Sequence, residues 1–319
     1  MKEIIDAIEP VLLKQELTPD KFIRYTNKGG NQIYSFTFQD SPHLMLEVAR
    51  LREQSYRASG GGTGAMLDID AYDTMHIPYR QLIVWNPREN EIIGGYRYFL
   101  GYLKTIDKNG KISLATNNHF KFSDRFVRKY LPFTIELGRA FVQPAYQASR
   151  SGCKSLYALD NLWDGLGALV NMYPKVQYFF GKVTMYRNFN SEARNLILRF
   201  LYTYFPDFEN LFEPIHPLKV DLNSPELKNL FPGINYEEDL RLLIKKVRQM
   251  GENIPSLISA YMNLSPSMKV LGTTVNENFG DVDETAIMVT VNDIYPNKAL
   301  RHIETYIKQK SDLEYAVSD

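Results

Sequence analysis

The order of strand and helix patterns along the chain limits the folds that it can adopt. Two apolar runs, QLIVWN at residues 81–86 and EIIGGYRYFLGYL at residues 91–103, flank the turn PREN and predict a β-hairpin. A strand, a helix and an acidic loop precede this hairpin, and strand, helix, strand, helix, irregular segment, strand and strand follow it. A doubly wound dinucleotide-binding fold requires strict alternation of strands and helices, which this order lacks. The sequence therefore predicts a mixed α/β (α+β) fold.

The same patterns divide the 319 residues into four segments. This length suits one enlarged α/β domain or one domain with an insertion. The predicted segments are an N-terminal helix (MKEIIDAIEPVLLKQEL) and loop at 1–30, an α/β core at 31–205, an irregular and helical insertion at 206–265, and the last two core strands with a C-terminal helix at 266–319.

Composition excludes several classes of protein. Lys plus Arg and Asp plus Glu both number 37, so the chain has no basic excess of the kind that nucleic-acid binding requires. A lone cysteine rules out an intramolecular disulfide framework and fits a reducing compartment. No run approaches the roughly 18 apolar residues that cross a bilayer, and the N-terminus has no signal-peptide pattern. We therefore predict a cytoplasmic protein, or one that is peripheral at the inner face of the membrane.

Charged residues interrupt two strands that otherwise have the composition of a core. PFTIELGRAFVQP contains Glu136 and Arg139, and IIGGYRYFL contains Arg97. A buried guanidinium needs a paired carboxylate, and Asp70, Asp73 and Glu136 are available as partners of Arg97. We therefore expect an ionic cluster at the edge of the sheet. Such a cluster either serves only as a scaffold or shifts pKa values in an active-site cleft.

Three other motifs have plainer interpretations. The glycine run SGGGTGA lacks the Lys-Ser/Thr of a phosphate loop, so a mobile loop that covers a site is favoured. The spacing of Asp68, Asp70 and Asp73 resembles that of a Ca²⁺ loop, but the central glycine and the closing glutamate are missing, so no metal site is predicted. The alternative to a place in the ionic cluster is an acidic loop exposed to solvent. Cys153 lies where a helix is expected to start, but an ordinary buried cysteine is favoured over a nucleophile.

Taken together, these motifs resemble those of a known superfamily. In order, they are an arginine and an aromatic residue on the first core helix, three aspartates, GGYR, and ELGRAFV. This order and spacing, over roughly residues 35–300, resembles the acyl-homoserine-lactone synthases and the ornithine-lipid N-acyltransferases, which are acyl-carrier-protein-dependent branches of the GNAT superfamily. The E-x-D-x-x-D motif corresponds to Asp68, Asp70 and Asp73. The arginine that follows a glycine corresponds to Arg97, and the E-x-x-R motif corresponds to Glu136 and Arg139.

The resemblance implies a fold and a reaction. The GNAT fold has a mostly antiparallel central sheet flanked by helices. LWDGLGALVNMYPKVQYFFGKVTMYRNF resembles the longer, "hemolysin-like" ornithine-lipid type, and PYRQLIVWNP with YLPFTIELGRAFVQP is most similar to glycine N-acyltransferases of glycine-lipid synthesis. The implied enzyme moves a fatty, or 3-hydroxy fatty, acyl group to the amino group of glycine, or next of ornithine, to make a lyso-aminolipid. The alternatives are an acyl-CoA-dependent GNAT enzyme acting on another small amine, and a non-catalytic or membrane-acting hemolysin-like protein.

The acyl donor is expected to be carried by a protein. Acetyl-CoA enzymes of this superfamily have a Q/R-x-x-G-x-G/A motif for the pyrophosphate, whereas this chain reads QPAYQASRSGCKSL after Val142. A weakened pyrophosphate site favours acyl-phosphopantetheine on acyl carrier protein as co-substrate, with no tightly bound cofactor. A lipid product is compatible with loose membrane contact. The basic residues expected to face the acidic carrier protein are Arg125, Arg128, Lys129, Arg150 and Lys154.

Roles for individual residues follow from the resemblance and from acyl-transfer chemistry. Glu136 is the expected general base, and Arg139 or Arg97 is expected to bind the carboxylate of the acceptor. Backbone N–H groups near Phe141 and Val142 are expected to stabilise the oxyanion. The alternative is a purely structural network of ion pairs, without a catalytic role, formed by Glu136, Arg97 and Asp70. The expected catalytic residues are Glu136, Arg139, Asp70, Asp73 and Arg97, and the expected substrate-binding residues are Arg52, Tyr56, Asp68, Phe141 and Val142.

Overall fold

The computed structural model describes residues 1–107, 110–147 and 157–306. Contacts divide the chain into two units. The first unit contains Met1–Leu103, Ile135–Gln177 and the described residues from Tyr295 on, and the second contains Lys104–Thr134 and Tyr178–Ile294. These boundaries differ from the four segments expected from the sequence, and those segments stay a prediction.

The strands pair antiparallel within each unit. They are, in chain order, β1 Phe22–Tyr25, β2 Gln32–Phe36, β3 Arg80–Asn86, β4 Glu91–Leu100, β5 Phe120–Phe122, β6 Thr134–Val142, β7 Tyr178–Met185, β8 Phe212–Pro214, β9 Lys269–Asn276 and β10 Val282–Thr290. The first unit has the strand order β1-β2-β3-β4-β6, which includes the predicted β3–β4 hairpin. The second has the order β7-β10-β9 and a separate β5–β8 pair. With the helices below, these strands confirm the predicted α/β fold with mostly antiparallel strands.

Most of the described helices begin where a proline or a polar cap favours a first turn. They are α1 Pro10–Glu16, α2 Pro42–Ala58, α3 Ala71–Thr74, α4 Ala158–Met172, α5 Ser191–Tyr204, α6 Pro225–Leu230, α7 Tyr236–Gln249, α8 Ser256–Met262 and α9 Pro296–Ala299. Pro42 starts α2, because a first-turn residue needs no N–H donor. The side chains of Asn190 and Asn235 accept hydrogen bonds from the first turns of α5 and α7.

Two segments differ from the helices expected from the sequence. The N-terminal pattern predicts a helix over residues 1–17, but α1 begins only at Pro10. Proline has no N–H, and its ring clashes with the preceding turn, so a helix does not continue through it. Residues 119–131 also have a helical pattern, but Phe120–Phe122 form β5, which pairs with β8. The helical part begins only at residue 124 and continues as the π-helical turn Phe126–Tyr130.

Helices cover both faces of the sheet in the first unit. Gln81 of β3, Arg97 of β4 and Gly138 of β6 are register partners and therefore lie on one face. Gln81 bonds to Arg52 of α2, which places α2 over this face. Leu82 points to the opposite face, where α4 approaches so closely that a Cβ at Gly165 would lie 2.6 Å from Leu82 Cδ2.

Two adjacent glycines of β4 permit a close approach of its neighbours. A Cβ at Gly94 would lie 2.4 Å from the carbonyl oxygen of Phe141 in β6, and one at Gly95 would lie 2.6 Å from that of Leu82 in β3. Backbone atoms cannot move aside as a flexible side chain can. The GG pair therefore fixes the spacing of the three strands that carry the charged residues.

Substitution of Gly94 tests this spacing. We expect Gly94→Ala to lower the free energy of unfolding by about 1–3 kcal/mol, the usual cost of overpacking. The matched change Gly138→Ala should cost much less, because its Cβ would meet its nearest atoms only at 3.6 Å. Urea unfolding of the two variants measures the difference, and equal midpoints would contradict this account of β4.

The sheet of the second unit also has two distinct faces. On one face, Phe180 of β7 packs edge-on against Phe126 and Phe212, with ring centroids 5.6 and 5.5 Å apart. On the other face, the hydroxyl of Tyr202 in α5 lies 3.0 Å from Thr273 Oγ1 of β9. The first face is thus an aromatic core, which the β5–β8 pair and the π-helical turn cover.

Candidate active site

The three aspartates of the predicted acidic loop lie around a short helix. Asp70 is the N-cap of α3, and its Oδ1 accepts hydrogen bonds from the N–H groups of Tyr72 and Asp73 at 2.9 and 3.3 Å. Asp73 Oδ2 in turn accepts from the N–H of Asp70 at 3.2 Å, which completes a capping box. Asp68 and Asp73 are 1% and 0% exposed, so the solvated-loop alternative is wrong.

Arg97 of β4 is the main cation bound to α3. Its Nη1 donates to both carboxylate oxygens of Asp70 at 2.8 Å and to Asp73 Oδ2 at 3.2 Å. Its guanidinium also lies over the rings of Tyr72 and Tyr79, 5.8 and 5.0 Å from their centroids. Asp70 and Asp73 are two of the three partners that the sequence predicts. Because β4 lies between β3 and β6, the cluster is on an interior strand and not at the sheet edge.

Arg52 reaches the same aspartate from α2. It is fully buried, and its Nη1 lies 3.5 Å from each oxygen of Asp73. Its Nη2 donates to Gln81 Oε1, and Gln81 Nε2 donates to Asp73 Oδ1 at 3.1 Å. Gln81 is missing from the sequence-based site. The sequence feature that could have revealed Gln81 is a polar residue at the start of an otherwise apolar strand. In the structure, Gln81 is the register partner of Arg97.

Arg139 lies at a bulge in β6. Between the register pairs Gly95–Phe141 and Arg97–Gly138, two residues of β6 oppose one of β4, and Arg139 has a φ of 50°. This left-handed conformation is strained for a residue with a side chain. Its Nε lies 2.9 Å from Asp68 Oδ2, and its Nη2 lies 3.5 Å from Asp70 Oδ2. The bulge therefore directs the guanidinium towards the aspartates.

These contacts define an Arg–Asp cluster with balanced formal charge. Its members are Arg52, Arg97, Arg139, Asp68, Asp70 and Asp73. Burial raises the pKa of Asp68, and Arg139 offsets only part of this rise. Burial also favours a raised pKa for Asp73, but Arg97 and Arg52 outweigh it and hold this pKa below its usual value. Three guanidinium groups thus balance three carboxylates in a cluster that is largely shielded from solvent.

Glu136 makes a hydrogen bond that the sequence does not predict. It is 2% exposed, and its Oε2 accepts a hydrogen bond from the hydroxyl of Tyr79. Glu136 is the register partner of Phe99, on which the Tyr79 ring stacks with a centroid distance of 4.8 Å. Tyr79 is a second site residue that sequence reasoning missed. It precedes Gln81 by two positions, so period-two alternation places both on the face that carries Arg97.

The remaining predicted residues border the bulge. The hydroxyl of Tyr56 on α2 donates to the carbonyl of Ala140 at 3.2 Å. The N–H of Gln143 donates to the carbonyl of Ile93, 2.9 Å away, and therefore points to β4. Successive N–H groups of a strand alternate in direction, so the N–H of Val142 points away from β4 and that of Phe141 points towards it.

The glycine-rich loop at residues 59–65 is bound to α2. Glu53 accepts hydrogen bonds from the N–H groups of Thr63 and Gly64 at 3.0 and 2.7 Å, and from Arg57 Nε at 2.8 Å. Burial raises the pKa of Glu53, but these donors outweigh it and the pKa is lowered overall. Because a carboxylate already takes the N–H donors of the loop, a phosphate-binding role is disfavoured.

Several predicted features lie outside the described residues. Cys153, Arg150, Lys154 and most of the segment compared with a pyrophosphate motif are among them. Of the other residues expected to face a carrier protein, Arg125 pairs with Glu209 at 2.5 Å and Arg128 with Asp124 at 3.2 Å. Within the described parts of the chain, no group of His, Cys, Asp and Glu is placed to hold a metal ion, and no helix is long and apolar enough to cross a membrane.

Comparison with known proteins identifies the family. Residues 51–155 match the acetyltransferase (GNAT) domain, and every residue that the sequence places in the site falls within this range. Two curated proteins are also 52% identical to the chain over nearly its whole length. The chain therefore belongs to the N-acyltransferases of the GNAT superfamily.

Both relatives are named glycine N(alpha)-acyltransferase. The protein from Phocaeicola vulgatus is 52% identical over 309 residues, which cover 97% of this chain and 95% of that protein. The protein from Bacteroides thetaiotaomicron is 52% identical over 312 residues, which cover 98% and 93%. No solved structure was found to match the chain.

Proposed function

We propose that this enzyme transfers a fatty acyl group, or a 3-hydroxy fatty acyl group, from acyl carrier protein to the amino group of glycine. Ornithine is the second candidate acceptor, and the product is a lyso-aminolipid. The observation that carries the choice of glycine is the 52% identity to two glycine N(alpha)-acyltransferases across nearly the full chain. Amide formation also suits a site with a buried carboxylate, Glu136.

The chemistry assigns Glu136 the role of general base. The amine nitrogen forms a bond to the thioester carbonyl carbon, the C–S bond breaks, one N–H proton passes to the base, and the thiolate leaves and takes up a proton. Tyr79 donates to Glu136 and so fixes the direction of one carboxylate oxygen. The other carboxylate oxygen is the candidate to accept the proton, directly or through a water molecule.

Backbone geometry favours Val142 over Phe141 as oxyanion donor. An oxyanion needs an N–H group aimed at the place where charge develops. The N–H of Phe141 points to β4, whereas that of Val142 points away from it. The Arg–Asp cluster would support this donor by holding the bulge at Arg139 against α3, which makes its members positioning residues rather than groups that grip the substrate.

The donor and location follow as further parts of the proposal. Acyl-phosphopantetheine on acyl carrier protein is the co-substrate, and no cofactor stays bound between turnovers. Carrier proteins are acidic, so exposed cations such as Arg128 are candidates for the docking contact. Release of a lipid product is compatible with loose membrane contact.

Product analysis tests the proposal. The purified chain is incubated with acyl carrier protein loaded with a 3-hydroxy fatty acyl group, with glycine or ornithine, and the products are identified by mass spectrometry. We expect N-acylglycine as the main product and little product when acyl-CoA replaces the loaded carrier protein. Product from acyl-CoA alone would overturn the choice of donor. The absence of any N-acyl amino acid would overturn the function.

A further inference from the structure

Gly138 of β6 is a glycine that neither the backbone nor close packing requires. Gly94 and Gly95 are needed because a Cβ there would meet backbone atoms at 2.4 and 2.6 Å. Gly64 has a φ of 73°, which favours glycine. Gly138 has no such φ, and a Cβ on it would lie 3.6 Å from Cγ and Nε of Arg97, an ordinary contact distance. The fold itself thus gives no reason for the missing side chain.

The missing side chain leaves a gap over this part of β6. Among the described residues, and apart from its chain neighbours, Gly138 has only Arg97 within 4 Å of the position that a Cβ would take. Protein interiors are close-packed, so a side-chain position in a sheet normally has neighbours on several sides. Gly138 is only half-buried, so the gap is accessible to a small molecule.

Arg97 has an unused donor beside this gap. Its Nη1 donates to Asp70 and Asp73, but its Nε is buried and finds no acceptor among the described residues. A buried N–H group without an acceptor costs free energy, so nearly all such groups have a partner. Burial lowers the pKa of Arg97, but Asp73 and Asp70 outweigh it and raise the pKa overall, so the guanidinium stays charged. The gap therefore adjoins a cationic donor and suits an anionic group.

The candidate base lies close to the same gap. Glu136 precedes Gly138 by two positions on β6, so it lies on the same face of the strand. Two strand positions are about 7 Å apart, a span that suits a small amino acid with a hydrogen bond at each end. An ammonium group near Glu136 and a carboxylate over Gly138 would match the charges of Glu136 and Arg97. All three residues belong to the first unit.

We propose that the gap over Gly138 is the subsite for the carboxylate of the acceptor amino acid, and that Gly138 is a specificity-determining residue. One carboxylate oxygen accepts from Arg97 Nε, and the amine is turned towards Glu136. This inference rests on the proposed function. It adds one substrate contact to Arg97 through the atom that the Arg–Asp cluster does not use, so the positioning role of Nη1 is kept.

Gly138→Ala tests the subsite by filling it with one methyl group. Acyl transfer by the full chain is measured while either glycine or the loaded acyl carrier protein is varied. We expect the KM for glycine to rise about tenfold or more, the usual effect of one carbon in a pocket. The KM for the loaded carrier protein should change by less than about threefold, whereas a general distortion of the site would lower kcat for both substrates.

Gly251→Ala is the control. Gly251 follows α7 with a φ of 79°, and in the described part of the chain nothing lies within 4 Å of its Cβ position. A residue with a side chain is strained at this φ, so the variant should lose some stability and keep the wild-type KM for glycine. It therefore separates a loss of stability from a loss of acceptor binding.

An unchanged KM for glycine in Gly138→Ala overturns the inference, assigns a water molecule to Arg97 Nε, and leaves the proposed function standing. Failure of the wild-type chain to acylate any amino acid refutes the proposed function instead. In that case, calorimetric titration of glycine into the wild-type chain and into Gly138→Ala still decides the inference. Binding that is weakened about tenfold or more in the variant supports the subsite, and equal affinities or no binding to the wild type overturn it.

Discussion

Replacing Glu136 by glutamine is expected to lower the turnover of acyl transfer by about 10²- to 10⁴-fold, the usual contribution of a general base. Glutamine has nearly the same shape and still accepts the hydrogen bond of Tyr79 through its carbonyl oxygen. It has no basic oxygen to take the proton of the acceptor amine. The fold is therefore retained, and the loss should appear in kcat at saturating donor and acceptor.

Glu213→Gln is the matched control, since its carboxylate is 71% exposed on β8. Its kcat should equal that of the wild-type enzyme. Circular dichroism and the urea midpoint of Glu136→Gln show whether the fold is intact. A kcat of Glu136→Gln within about threefold of wild type, far below the general-base contribution, would remove Glu136 from the role of base. The scaffold alternative would then be the better account of this residue.

Replacing Arg97 by methionine is expected to lower the free energy of unfolding by about 3–5 kcal/mol, the cost of breaking a buried ion pair from one side. Arg97 is 4% exposed, and its Nη1 bonds to both Asp70 and Asp73. Methionine fills much of the same volume but leaves Asp73, which is fully buried, with Arg52 as its remaining guanidinium partner. Urea unfolding followed by circular dichroism measures the loss.

Arg187→Met provides the comparison, because Arg187 makes an ion pair with Asp281 at 2.6 Å but is 74% exposed. Exposed pairs contribute about 0–1 kcal/mol, so this variant should be close to wild type in stability. If Arg97→Met and Arg187→Met were equally stable, the Arg–Asp cluster would not organise the core as described. A double change, Arg97→Met with Asp73→Asn, should recover part of the loss, because it removes the uncompensated carboxylate.

Sequence patterns predict the longer strands and the composition of the charged cluster well, but not the short strands β1, β5 and β8. β3, β4, β6, β7, β9 and β10 all coincide with apolar runs bounded by turns, because a buried strand needs continuous apolar side chains. Arg97 was expected to meet Asp70 and Asp73, because a buried guanidinium requires carboxylates nearby. Those partners are correct. The order of the motifs along the chain also indicates the family correctly.

The errors concern neutral polar residues and local geometry. Tyr79 and Gln81 were missed because an uncharged side chain in a strand does not require a particular partner, whereas a buried charge does. The sequence offers Glu136 as a partner of Arg97 and gives no sign of Tyr79, whereas in the structure Glu136 is the register partner of Phe99 and accepts a hydrogen bond from Tyr79. The helix expected at residues 1–17 begins only at Pro10, since proline prevents the preceding turn from joining it.

The sequence of each single segment was enough to indicate which apolar runs form strands and which buried charges need partners. The order of the motifs was enough to indicate the superfamily. These properties depend on side-chain chemistry and on the two- and 3.6-residue periods of strands and helices. Only the tertiary structure decided which partners meet. The bulge at Arg139, the hydrogen bond from Arg52 to Gln81 and that from Tyr79 to Glu136 depend on backbone angles or join segments that lie far apart in sequence. Such contacts depend on strand register, which no single segment contains.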